Sequence, residues 1–383
     1  MKKVLFLSIN YSIEGIEHGT GALNGSTAIS EMLVAALAEW AEVDVVSDRP
    51  ERFPRHKVLD IFRMNASRAY GFEDFWRKQF RVFGAPSSNE FSRDTLYRLF
   101  QLANALDPEA LDDLLLSEHY DVVVLNRHEY FFLSRHPGFA GKQIVFCAHD
   151  SNYLRKLSYE DGFKTLQPLT HVEKVLEEAL VAEANKLISL SSSEADYFKN
   201  IVEDCEVVLF RPIVARPARL VSLIEGKGIN FYFVGVNNFV NRQTLECAVK
   251  LFMDVRRAGV DNFHVFGFVS AALPSGSLDE DVVLHGHVDD LEGALAEMHV
   301  LLAPIHSGSG IPIKFSDALS AGHLVVSSAF GATSYAEFIG TRIIISDDLT
   351  GSVLNALRTA KATYAPYEKY GSKNRQAAKQ IVG

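Results

Sequence analysis

The stretch Ala303-Pro-Ile-His-Ser-Gly-Ser-Gly-Ile-Pro-Ile-Lys-Phe-Ser-Asp-Ala-Leu-Ser-Ala-Gly322 decides how the chain is read. It lies between two apolar runs, Val300–Ala303 and Leu324–Ser327, so its middle is expected to be the helix that joins two parallel strands. Gly308-Ser-Gly310 supplies a turn, Pro312 stands where proline is tolerated in a first helical turn, and Gly322 ends the helix. Phe315, Ala318, Leu319 and Gly322 recur at i, i+3, i+4 and i+7, a stripe that packs onto a sheet. Lys314 and Asp317 are three apart, about 60° around the axis, and share a face. A helix N-terminus with unpaired N–H groups and a cation in its first turn suits an anion; a carboxylate one turn deeper suits a polyol such as ribose. The same two side chains would equally make a surface ion pair worth at most about 1 kcal/mol.

Outward from this segment, short β-branched runs alternate with helical stretches, the pattern of parallel sheets covered by helices. The first half offers Lys3–Ile9, Val43–Ser47, Val122–Leu125, Ile144–Cys147, Leu187–Leu190 and Val207–Leu209 as strands; the second offers Asn230–Val234, Phe263–Phe266, Val282–His285, Val300–Ala303, Leu324–Ser327 and Arg342–Ile345. Near-continuous apolar runs such as Val122–Leu125 fit strands buried on both faces. Phe210-Arg-Pro-Ile-Val-Ala-Arg-Pro217 reads as a linker. The expectation is an α/β chain of two Rossmann-like doubly wound domains facing a cleft. The domains are placed at residues 1–213 and 214–360, with a helical insertion near 52–116, and a last helix over 361–383 is expected to return to the first domain.

The chain has 383 residues, 48% hydrophobic and 22% charged, which suits about two globular domains. Its net charge of −10 argues against binding duplex nucleic acid through phosphates. The three cysteines, Cys147, Cys205 and Cys247, are too scattered for a disulfide framework or a zinc knuckle, and a reducing cytoplasm is expected. The apolar run after Met-Lys-Lys is too short for a secretory leader, and no window approaches 18 apolar residues. Asp279-Glu-Asp281 reads as a solvated loop, and no metal site is expected.

After the first strand, Gly19-Thr-Gly21 and Gly25 follow the spacing GxGxxxG and arrive about ten residues late for a dinucleotide fingerprint. Such a loop still brings backbone N–H groups to a phosphate at a helix N-terminus, or is merely flexible. His149-Asp150, beyond the strand Ile144–Cys147, is read as a contact to a sugar or as a structural hydrogen bonder. His18, His306 and His323 are weaker candidates, and His285 and His287 suit shaping a turn. Ser193-Glu-Ala-Asp196 fits a helix cap, with Glu194 as a group that faces the cleft. The aromatic and basic stretch Phe62–Phe83, with Arg63, Trp76 and Arg77, is read either as a grip on an anionic or lipid-linked acceptor or as a lid packed on its own aromatics.

The segment Gly308–Ser327 resembles the donor-site segment of family 4 retaining glycosyltransferases with the GT-B fold, whose stretch reads GxGxxxKxxEAxAxGxPVV. Phe231-Tyr-Phe-Val-Gly235 with Asn241, Val283-Leu-His-Gly-His-Val-Asp-Asp290 and Met298–Pro304 are similar to further elements of the same domain in the same order. Val145-Phe-Cys-Ala-His-Asp150 and Leu187–Glu194 resemble the family's first domain more loosely. The resemblance implies transfer of a hexose-type sugar from a UDP- or GDP-sugar, without cofactor or metal, to a saccharide or lipid-linked acceptor in glycan or polysaccharide synthesis, in the cytoplasm or at the inner membrane face. It implies that Gly19, Gly21, Arg242, Gly308, Ser309, Gly310, Ile311 and Lys314 meet the diphosphate, and that Asp317, Gly286 and His287 meet the nucleoside. Lys314, His149 and Asp317 carry the chemistry in this reading. The family commonly has Glu where Asp317 stands and an earlier Glu near Ser307 or Ser309. A weakly active or inactive sugar-nucleotide-binding protein and a sugar-nucleotide epimerase of the same fold are therefore the alternatives.

Overall fold

The computed structural model describes residues 1–8, 25–47, 50–59, 108–160, 174–175, 177–202, 204–213, 228–273, 279–346 and 368–383. Two parallel sheets form the framework. The first contains β1 (Lys2–Ser8), β2 (Ala41–Ser47), β3 (Lys57–Leu59), β4 (Val122–Asn126), β5 (Gln143–Ala148), β6 (Lys186–Ser189) and β7 (Glu206–Leu209), in the order β3-β2-β1-β4-β5-β6-β7. The second contains β8 (Asn230–Val234), β9 (Asn262–Phe266), β10 (Val282–Gly286), β11 (Val300–Leu302), β12 (Leu324–Ser327) and β13 (Ile343–Ile345), in the order β10-β9-β8-β11-β12-β13. In each sheet the order reverses beside the first strand, the place where doubly wound sheets open a ligand crevice at the strands' carboxyl ends. The helices that cover them are α1 (Gly25–Leu37), α2 (Pro108–Ser117), α3 (Asn152–Glu160), α4 (Ser192–Ile201), α5 (Phe239–Val255), α6 (Leu291–Leu295), α7 (Ile313–Ala321), α8 (Ala329–Ala332) and α9 (Glu368–Val382).

The apolar runs dictate this arrangement. Val4–Leu7 and Val122–Leu125 are fully buried, and β1 pairs β4 through Val4↔Val122 to Leu7↔Leu125. Their alternate side chains enter two separate clusters, one on each face of the first sheet. One short strand falls outside the sequence expectation: β3, inside the region read as helical between 52 and 116, pairs with β2 at Asp44↔Lys57. Its three residues are too few to show a period, and none is fully buried. Asp279 and Asp281 also differ from the expected solvated loop, because both bind the Arg256 guanidinium and Asp281 is buried.

Helix α9 contributes Ala377, Ala378, Ile381 and Val382 to the cluster around Val4, Phe6 and Leu33 of the first lobe, and Lys2 Nζ donates to the Val382 carbonyl at 2.8 Å. Arg211, just beyond β7 and buried, donates to the carbonyls of Leu190 at 3.2 Å and Ser334 at 2.6 Å. It also pairs with Glu337 at 3.3 Å. One guanidinium thus pins residues on both sides of the chain's passage between the sheets, with the forked donor geometry that arginine alone supplies.

Candidate functional site

The loop 303–312 leaves the carboxyl end of β11 and crosses to the first lobe. The Gly308 amide donates to Ser158 Oγ at 2.8 Å, Ser309 Oγ donates to the Ser151 carbonyl at 3.0 Å, and the Gly310 amide donates to Glu194 Oε1 at 2.9 Å. Ile311 packs against the cores of both lobes. Gly310 has φ 73°, and a Cβ on it would lie 2.8 Å from the His149 carbonyl oxygen and from Asp150 Cβ. Only glycine permits this approach.

Pro312 is the residue before α7 rather than part of its first turn, and Gly322 closes the helix in the left-handed conformation with φ 84°. Lys314 turns inward from the first turn of α7. Its ammonium donates to Asn241 Oδ1 at 2.8 Å and lies 4.0 Å from the centroid of the Phe233 ring. Asn241 is held by its own amide, which donates to the Val236 carbonyl at 2.9 Å. A Cβ at Gly235 would come within 3.0 Å of the Asn241 amide, so glycine there admits the asparagine. Among the described residues no carboxylate pairs with Lys314, and burial alone pulls its pKa from 10.5 to about 7. A cation desolvated without a counter-charge is expensive to hold.

Asp317 does not follow Lys314 inward. It is exposed, and its charge adds to the burial that raises the pKa of Tyr232 and Tyr335. Arg242 is exposed beside Asn241 in the first turn of α5. Gly286, with φ 67°, ends β10; His287 stacks on Phe268 with ring centroids 5.0 Å apart. His285 stacks on Phe266 and its Nε2 lies 2.8 Å from His264 Nδ1, a strand-edge role. His306 is exposed. His323 is a core residue: it meets the Tyr232 hydroxyl at 2.9 Å, and burial, with His299 and Arg342 nearby, pushes its pKa down to about 4. His18, Gly19, Gly21, Arg63, Trp76 and Arg77 lie outside the described residues.

On the first lobe, His149 Nε2 lies 2.8 Å from Asn126 Oδ1. The Asn126 amide donates to Ser8 Oγ at 3.1 Å and Ser30 Oγ at 2.9 Å. With both amide hydrogens used, Oδ1 accepts from Nε2–H, which leaves Nδ1 as the basic ring nitrogen. This network lies at the carboxyl ends of β1 and β4 and within α1. Asn126 was visible in the sequence as the polar residue that ends the run Val122–Leu125, although no role was read for it. The helix cap also lies elsewhere than expected. Ser191, not Ser193, caps α4, accepting from the Glu194 amide at 3.1 Å. The Glu194 carboxylate, at the third helical position, is buried and reaches across to the loop of the other lobe.

Among the described residues no group of three or more His, Cys, Asp or Glu side chains is arranged to hold a metal ion. No described helix is long and apolar enough to cross a membrane.

Comparison with known proteins agrees with this geometry. Residues 228–360 match the family model described as "Glycosyl transferases group 1". No curated protein matches the chain by sequence. Among solved structures, the chain is similar to the lipopolysaccharide outer core galactosyltransferase WaaB in its apo form, with TM-score 0.58, 14% identity, and 100% and 99% of the two chains covered. It is similar to a sucrose-phosphate synthase from Thermosynechococcus elongatus, with TM-score 0.62, 12% identity and coverage of 100% and 95%. It is also similar to HepE of Anabaena in complex with UDP-glucose, with TM-score 0.62, 12% identity and coverage of 100% and 99%. The chain therefore has the GT-B fold.

Proposed function

We propose that the protein is a retaining glycosyltransferase that moves a hexose-type sugar from a UDP- or GDP-sugar to a saccharide, lipid-linked or other hydroxyl acceptor. The observation that carries this reading is Lys314, a desolvated cation with no carboxylate beside it among the described residues, in the first turn of the helix whose preceding loop bridges both lobes. As a sugar leaves a nucleoside diphosphate, about one negative charge grows on the departing phosphate, and a fixed cation with nearby N–H dipoles is the means to stabilise it. Lys314, with Arg242 one residue from its partner Asn241, supplies that charge from the second lobe in place of a metal. Gly19 and Gly21 supply amides from the first. Asp317 and the Gly286–His287 turn take the nucleoside, and His149 meets the sugar. The departing phosphate itself takes the acceptor proton on the same face, so no separate base is required. Acceptor contacts fall to Arg63, Trp76 and Arg77, and the work is done in the cytoplasm, where three unpaired thiols persist, with peripheral contact to a membrane in the lipid-linked case.

The loop itself favours a second reading. The Gly308 and Gly310 amides, expected to meet phosphate, are occupied by Ser158 and Glu194, as suits a sugar-nucleotide-binding protein without turnover. Calorimetry with UDP-, GDP-, ADP- and CMP-sugars identifies the donor, and slow donor hydrolysis without acceptor separates the two readings. Lys314→Ala is expected to abolish turnover with the fold intact. Transfer at the parental rate by that variant would overturn the assignment.

A further inference from the structure

Glu194 is the one buried carboxylate that both lobes hold through backbone amides among the described residues. Its Oε1 accepts from the Ser151 amide at 2.7 Å in the first lobe and from the Gly310 amide at 2.9 Å in the second, and its Oε2 accepts from Ser191 Oγ at 3.1 Å. No cation pairs with it among the described residues. It is held by amide dipoles and by its place in the first turn of α4. The loop's other two ties, Gly308 to Ser158 and Ser309 to Ser151, run to the same lobe. All three depend on Gly310 approaching the His149 carbonyl without a side chain.

We propose that Glu194 is a positioning residue whose carboxylate holds the donor-side loop 308–310 against the first lobe, so that the loop's order, and turnover with it, follows the ionisation of this one group. The kinetic part rests on the reading given above; the loop part does not.

The charged form is the one that can grip both amides strongly, because charge-assisted hydrogen bonds are about twice as strong as neutral ones. The groups facing Glu194 make that form easy to lose. Asp150 presents a like charge, itself paired with Arg155 at 2.6 Å. His149 precedes Asp150. Arg211 reaches Ser192 on the same helix at 3.3 Å and is shared with Glu337. From the far side, Glu177, in contact with His128, takes the Ser151 hydroxyl at 2.6 Å. Burial first, and Asp150 second, push the Glu194 pKa up to about 7. The contact that the loop itself makes, the Gly310 amide, favours the charged form, so protonation of Glu194 and release of the loop favour each other.

Hydrogen exchange of the peptide spanning residues 303–315 tests this without any donor. After correction for intrinsic rates, protection in the parent is expected to fall about tenfold between pH 8 and pH 6. Glu194→Gln, equal in shape and uncharged, is expected to show the lower value at both. Protection that is flat with pH in the parent, or unchanged in the variant, overturns the proposal. The parent's own pH series decides the matter if the variant does not fold. In the transfer assay the acidic limb of kcat, centred near pH 7, is expected to disappear in Glu194→Gln, with the KM for donor shifted less than threefold. If loop exchange responds as expected while the parent turns over no donor, the transferase reading fails and the positioning role stands. If donor is turned over while loop exchange ignores Glu194, the reverse holds.

Discussion

Replacing Lys314 with methionine should separate stability from binding. Methionine keeps the length and apolar body of the side chain over Phe233 and removes the charge. The fall of the Lys314 pKa from 10.5 to about 7 is worth on the order of 5 kcal/mol against the charged form, at ~1.4 kcal/mol per pKa unit. Lys314 is only partly buried by area, and solvent screening trims the effect on stability to roughly 2–3 kcal/mol. The unfolded chain keeps its proton up to about pH 10.5 and the folded chain gives it up near 7. Between those values the unfolded state binds more protons, and the parent gains stability as pH rises. The variant has no such term. The difference in unfolding free energy between variant and parent should therefore move by roughly 2–3 kcal/mol in the parent's favour from pH 6 to pH 10, whatever constant offset the loss of the Asn241 bond adds. Urea denaturation at each pH measures it.

Binding should respond in the opposite sense. On the proposed function a nucleoside diphosphate such as UDP should select the protonated amine, so above pH 7 its apparent Kd should rise by up to about tenfold per pH unit. Calorimetry at pH 8 in buffers of different ionisation enthalpy should find proton uptake approaching one per UDP, because the phosphate is already ionised there. The variant should lose that uptake and bind roughly 10- to 100-fold more weakly. Parallel stability curves for parent and variant, or equal UDP affinity, would refute the reasoning about this side chain.

Gly310→Ala places a methyl 2.8 Å from the His149 carbonyl oxygen at a positive φ; it should cost about 1–3 kcal/mol and weaken the interlobe ties, read as a lower urea midpoint and faster exchange of the 303–315 peptide. Asn126→Ala removes one hydrogen bond each from His149, Ser8 and Ser30; a loss of roughly 2–4 kcal/mol is expected in denaturant, and a loss under 1 kcal/mol would show that water fills the gap at no cost. Asp317→Asn, at an exposed position, should leave stability within about 0.5 kcal/mol while raising the donor Kd several-fold; unchanged affinity would remove Asp317 from the nucleoside site.

The framework was legible because burial on both faces leaves a mark along the chain itself. Val122–Leu125 and Val300–Ala303 announce covered strands with no help from their neighbours. β3 left no such mark, since Lys57-Val-Leu59 is short and only partly covered. The cap of α4 was placed two residues late because Ser191, Ser192 and Ser193 are chemically equivalent in sequence, and only the backbone selects Ser191. Of the site, the sequence offered Lys314, its turn and the nearby Asn241 as separate pieces. The facts that give them meaning are distant pairings: Lys314 with Asn241, 73 residues apart, and Gly310 with Glu194, 116 apart. Neither pairing has a local periodicity. The separation of Lys314 from Asp317, one turned inward and one left at the surface, likewise depends on what lies opposite each side chain rather than on their spacing.

The return of α9 to the first lobe bears on the order in which the molecule assembles. The pocket that receives Ala377, Ala378, Ile381 and Val382 is built by residues from the opening strands and helix, so that layer stays unfinished on the ribosome until residue 382 has emerged. The second lobe, contiguous in the chain, meets no such delay. The later-made half can therefore condense first and serve as the template on which the earlier-made half closes, which inverts the usual vectorial sequence of domain folding.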